Sequence, residues 1–230
     1  MRTTYSTLVP LYLAVLGGAV ACDNSTSPKS VGPVHFRVSA AAASTSAGAT
    51  AAAVDVTSFR LVVGPVALGS GDQFGCVDCQ GGDNGSDQPQ LISVPTDGTP
   101  VSITTEQVSA GVYSSAEIEL RAPDAAVTAL APGWPTGATV EIAGSFNGTA
   151  FTLPLTLLGE FRETLNPPVE VTAGGTPTPV SVTITLPVRD WFVSNGVALD
   201  PNDAAQRKQI ESNAKLSVHP SDGAETGGKE

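Results

Sequence analysis

TVEIAGSF-NG-TAFTLPLTL, residues 139–157, is the stretch that decides the fold. Two runs that alternate apolar and polar side chains flank Asn147-Gly148. Both turn residues tolerate positive φ, so the pattern predicts a β-hairpin with a tight turn. Alternation places Val140, Ile142 and Phe146 of one arm on the same side as Phe151, Leu153 and Leu155 of the other.

Working outward, similar short strands recur. Residues 34–38 alternate, and residues 54–68 are rich in Val and interrupted at Gly64-Pro65. Residues 91–94, 101–104, 112–121 and 126–130 follow. In the third of these, Ala116, Ile118 and Leu120 share one face, opposite Glu117, Glu119 and Arg121. Residues 160–165 and 169–172 are weaker strands separated by Asn166-Pro167-Pro168, and Val180, Val182, Ile184 and Leu186 line one side of the last strand. Many short strands at this spacing mean an antiparallel sandwich or barrel. We read an all-β fold, an antiparallel β-sandwich over residues 33–190, with a C-terminal segment (191–220) carrying a short helix at 204–215 behind an Asp200-Pro201-Asn202-Asp203 cap signal. Residues 221–230 are Gly-rich and charged and read as a disordered tail.

The first 21 residues read differently. Arg2 is their only charge, and residues 8–21 form a run of about 14 apolar or small side chains, too short for the roughly 20 that span a bilayer. That is the shape of a signal peptide. Cys22 follows Ala19-Val20-Ala21, which resembles a bacterial lipobox, so the expectation is cleavage before Cys22 and lipidation of its thiol, with the membrane as partner through that lipid. The family pattern prefers Leu where Ala19 stands, and plain secretion with cleavage after Ala21 is the rival reading. Residues 22–32 then read as a flexible tether. The expected localisation is the bacterial cell envelope, anchored to the inner or outer membrane and facing periplasm or exterior.

The chain of 230 residues has a net charge of −11; without residues 1–21 it holds 10 cations against 22 acids, net −12. Such a surface argues against nucleic acid, whose phosphates need Lys and Arg. Hydrophobic residues make up 41% and aromatic residues 5%, so the core has to be built mainly from Val, Leu, Ile and Ala.

Several short elements carry a family resemblance. Residues 34–38, residues 59–68 and the segment SAGVYSSAEI at 109–118 are similar to elements of bacterial lipoproteins that carry a domain of unknown function, number 4382. Asn147-Gly148-Thr149-Ala150-Phe151 resembles a hairpin common in that family, and Asp190-Trp191-Phe192, Asp200-Pro201 and Ile210-Glu211-Ser212-Asn213 resemble its C-terminal segment. The resemblance implies a prealbumin-like or immunoglobulin-like sandwich and no catalytic residues.

Chemistry is sparse. Cys76 and Cys79 lie in a long irregular stretch, residues 69–90. In an oxidising envelope the expectation is a disulfide, with metal binding and a thioredoxin-type redox pair as rivals. Asp72, Asp78, Asp83, Asn84 and Asp87 surround them; they are weak candidates for calcium, at a spacing unlike an EF-hand, against a plainly solvated loop. No other cofactor is expected. His35 and His219, the only histidines, have no partner motif, and no nucleophile-elbow, zincin or phosphate-loop motif occurs. Trp134, in Pro132-Gly133-Trp134-Pro135, reads as an exposed turn aromatic able to stack on a sugar, whereas Trp191 reads as a core plug. The sum is a non-enzymatic, lipid-anchored module that binds a glycan, polymer or protein, with residues 69–90 as the first candidate surface and the Trp134 turn next, or serves a structural role; the alternative is a calcium-binding module using the Asp-rich loop 69–90.

Overall fold

A computed structural model describes residues 30–40, 45–46, 53–70, 73–75, 88–173 and 179–219. The elements in chain order are β1 (Val31–Ala40), β2 (Thr45–Ser46), β3 (Ala53–Ser70), β4 (Gln73–Gly75), β5 (Gln90–Val94), β6 (Val101–Ser109), β7 (Gly111–Leu120), α1 (Ala125–Leu130), β8 (Val140–Phe146), β9 (Thr149–Leu155), β10 (Gly159–Val171), β11 (Val180–Leu186), α2 (Val188–Trp191), β12 (Val193–Ser194), β13 (Val197–Ala198) and α3 (Ala204–Leu216).

Two sheets face each other. The smaller has the order β11-β1-β6, and the larger runs β10-β7-β3-β8-β9, with β2, β4 and β5 also paired to β3. Every pairing is antiparallel except that of β1 with β11. Val34, Phe36, Val38 and Ile184 of the small sheet share one buried cluster with Leu61, Ile118, Leu120, Ile142 and Leu153 of the large one. This is the all-β sandwich expected from the strand spacing. Burying one face per strand is what fixes register, because a slip of one residue would turn each apolar set to solvent.

The decisive hairpin forms as read. Val140 pairs with Leu155 and Ile142 with Leu153, and Asn147 (φ 50°) and Gly148 (φ 81°) make the turn. Gly144 faces Phe151 in that ladder, and a Cβ there would lie 2.1 Å from the Asp55 carbonyl oxygen. Glycine is what lets β8 close on β3 beside the irregularity between Val56 and Ser58.

Some expectations are corrected. Gly64-Pro65 does not break the second strand; β3 runs through it with a register shift between Val63 and Val66, the bulge by which a strand accommodates a proline. The two strands expected around Asn166-Pro167-Pro168 are one, β10, whose pairing to β7 jumps from Thr164 to Val169; the Asn166-Pro167 peptide is cis. Residues 126–130 are not a strand but belong to α1. Asp124 caps it, its carboxylate accepting from the Val127 N–H at 2.8 Å, and the two alanines that follow favour helix. Val31 and Gly32, read as the end of a tether, belong to β1, and the Ser30 carbonyl accepts from the Ala110 N–H.

The C-terminal segment belongs to the same core as the sandwich. Trp191, Phe192, Leu199, Ile210 and Ala214 are buried in the main cluster. The Trp191 ring stacks on Phe161 (6.1 Å, 15°) and meets Phe59 edge-on (6.0 Å, 64°). Its Nε1 donates to Ser217 Oγ, and Asn213 Nδ2 donates to the carbonyls of Trp191 and Val193. α3 starts where its cap signal placed it, with the Asp203 carboxylate accepting from the N–H groups of Ala205 and Gln206.

Candidate functional site

Trp134 is not the exposed aromatic its Pro-Gly-Trp-Pro setting suggests. It is 7% exposed and packs with Val62, Val127, Ala131 and Ala138 in a second, smaller cluster. Its Nε1 donates to the Ala138 carbonyl at 2.8 Å. The Arg60 guanidinium lies over the ring, 5.0 Å from the centroid, while its Nε and Nη2 donate to Glu141 across the β3–β8 ladder. The cause is Val62. Leu61 and Val63 lie in the main core while Val62, between them, belongs to the second cluster, so α1 and the Trp134 turn cover the opposite face of β3 there. Trp134 therefore offers no ring face to a sugar.

Cys22, Cys76, Cys79, Asp72, Asp78, Asp83, Asn84 and Asp87 lie outside the described residues. Among the described residues, no group of three or more His, Cys, Asp or Glu side chains comes together. The histidines have separate partners: His35 Nδ1 shares a 2.8 Å hydrogen bond with Thr105 Oγ1, and His219 pairs by backbone with Glu160. The alternating charges are surface ion pairs, with Arg162 reaching Glu117 and Glu160, and Arg121 reaching Glu119. Arg37 donates Nη2 to the Pro100 carbonyl.

Among the described residues, a groove where β5 leaves β3 gathers polar groups around a space. It is open to solvent, has a volume of about 460 Å³, and is lined by Thr57, Ser58, Phe59, Ser93, Val94, Pro95, Thr96 and Asp97. Phe59 and Val94, paired across the two strands and buried, form its floor. Thr57 lies within the β3 irregularity and donates weakly to the Ala143 carbonyl at 3.4 Å. On the other wall, Asp97 Oδ1 accepts from the Thr99 N–H at 2.9 Å. The Thr99 N–H, and after it the Thr99 hydroxyl, hold the Asp97 carboxyl below its usual range, so it is an anion at neutral pH. The sequence reading passed over these residues. Pro95 to Pro100 carries plain turn composition, and the groove exists only through the register of β5 on β3.

No helix among the described residues is long and apolar enough to cross a membrane. No family model, curated protein or solved structure matches the chain.

Proposed function

We propose that the chain is a lipid-anchored cell-envelope protein whose β-sandwich is a non-catalytic binding or structural module. The observation that carries this reading is the position of Cys22. It ends the apolar run of residues 8–21, directly after Ala19-Val20-Ala21, and only eight residues separate it from the start of β1 at Val31. Fully extended, that connection reaches about 30 Å. It is a leash that keeps the module near a bilayer without crossing it. Two or three acyl chains at about 0.8 kcal/mol per buried methylene hold such a module durably. In the same compartment Cys76 and Cys79 form a disulfide.

Labelled palmitate tests the anchor. The wild-type chain takes up label and sediments with membranes, and Cys22→Ser loses both. A native chain that begins at Met1 and stays in the soluble fraction overturns the reading. Calcium and chelator melts address the alternative, because a cation held only by the folded state has to raise the midpoint.

A further inference from the structure

We propose that the groove between β3 and the β5–β6 loop is a saccharide-binding site for an uncharged sugar residue, carried at the end of β1 opposite Val31; this rests on reading the domain as a binding module. The lining decides the ligand class. Ser58, Ser93 and Thr96 bring hydroxyls able to donate and to accept, Thr57 brings one whose proton already goes to the Ala143 carbonyl, and Asp97 brings a carboxylate that only accepts. Sugar hydroxyls offer the complementary mixture, and a hydroxyl donating to the Asp97 anion makes a charge-assisted bond. Exposed Pro95 supplies a small apolar surface for the C–H face of a ring. No lining residue is cationic, and the one charge is negative, which disfavours uronic acids, phosphates and sulfates. A single carboxylate also falls short of the six to eight oxygens calcium collects.

The walls are held before any ligand arrives. β5 is fixed to β3 from Phe59↔Val94 to Val63↔Gln90. The loop beyond it is tied by the Thr99 N–H on Asp97 and by Arg37 on the Pro100 carbonyl. A site set in advance loses little affinity to ordering. Its volume of about 460 Å³ lies within the range of small-molecule sites. Placement follows from β1. That strand leaves the tether at Val31, and Arg37, which holds the loop, stands six residues further along, about 20 Å at the rise of a strand. The groove therefore sits at the end of β1 opposite Val31.

The test uses the mature, isotope-labelled protein in lipid nanodiscs, titrated with cello-, malto- and chito-oligosaccharides, with alginate oligomers and with calcium chloride. At least one neutral series should shift amide resonances confined to residues 57–59 and 93–97. Ser93→Trp, which fills the groove from an exposed position, should abolish those shifts. Asp97→Asn, which keeps the acceptor for Thr99, should weaken binding about tenfold, the worth of roughly 1.4 kcal/mol. Unchanged melting curves show that both variants fold. Binding that both variants leave intact, or that maps elsewhere, overturns the groove while leaving a binding module. A preference for alginate or calcium, or silence across the panel, overturns the proposal outright. Palmitate labelling reads the anchor independently of all these outcomes.

Discussion

Replacing Trp191 by Ala tests whether the C-terminal segment and the sandwich are one cooperative unit. Trp191 is 1% exposed, contacts the rings of Phe161 and Phe59, and loses its indole bond to Ser217 Oγ on truncation. Removing a buried tryptophan of this kind costs about 3–5 kcal/mol, through lost transfer energy and the cavity left behind. That is a large part of the roughly 5–15 kcal/mol a domain has in total. At about 2–4 °C per kcal/mol for a domain of this size, the melting midpoint should fall by roughly 6–20 °C. The variant supplies its own probe. The chain has two tryptophans, so Trp134 becomes the sole indole, and it sits in the second cluster beside Val62 of β3, not in the main core. Urea unfolding followed by Trp134 fluorescence and by far-ultraviolet dichroism should give one coincident transition, displaced from wild type. If Trp134 unfolds at the wild-type midpoint while helical signal is lost in a separate step, the single-core reasoning is wrong.

Two further outcomes follow from a buried threonine and a half-buried tyrosine. Thr139 is fully buried, and its Oγ1 both donates to the Leu157 carbonyl and accepts from the Leu157 N–H, each at 2.8 Å. Thr139→Val should cost about 1–3 kcal/mol by stranding those two groups, lowering the urea midpoint at constant slope; an unchanged midpoint would contradict the bond pattern. Burial raises the Tyr113 phenol above its ordinary value, and its hydroxyl donates to the Ser109 carbonyl at 2.7 Å. Because the folded value is the higher one, this contribution to stability is complete below the unfolded phenol value and is lost as pH climbs from there through the folded value. In a chain prepared without residues 1–21, Tyr113 is the one tyrosine, and ultraviolet difference absorbance should show it ionising later folded than unfolded.

What was legible in the sequence was local. The hairpin at 139–157 declares itself because its alternation and its Asn-Gly turn are read within one short window, and α3 because Asp203 supplies a cap directly ahead of it. α1 was misread because five residues, Ala-Val-Thr-Ala-Leu, fit either periodicity, and only the Asp124 cap separates them. Trp134 was misread for a non-local reason. Its burial depends on Val62 facing outward from a strand far away in sequence. A signal was present all the same: Leu61-Val62-Val63 is apolar three times in succession, which a strand covered on one face only does not need. The candidate groove left no comparable trace, since Thr57, Ser58, Ser93 and Thr96 are ordinary surface residues until β5 pairs with β3.

The edges of the sheets bear on what kind of module this is. A bare edge strand invites another chain to pair with it, and a protein that works by sheet extension keeps such an edge open. Here three edges are blunted. On β9, the Leu155 carbonyl accepts from Thr139 N–H, so neighbouring Pro154 turns toward the outer edge a nitrogen that carries no hydrogen. On β11, the Thr185 N–H that points away from β1 is taken by the Glu163 carboxylate. On β10, Glu160 and His219 exchange both backbone hydrogen bonds, laying the C-terminal segment along the edge. At those positions the backbone groups are taken or missing, which weakens each strand as a template for pairing. The outer side of β6, which ends the small sheet, is not one of these three edges, so sheet extension and the proposed side-chain recognition at the groove between Thr57 and Asp97 make opposite predictions for a blocking substitution on β6.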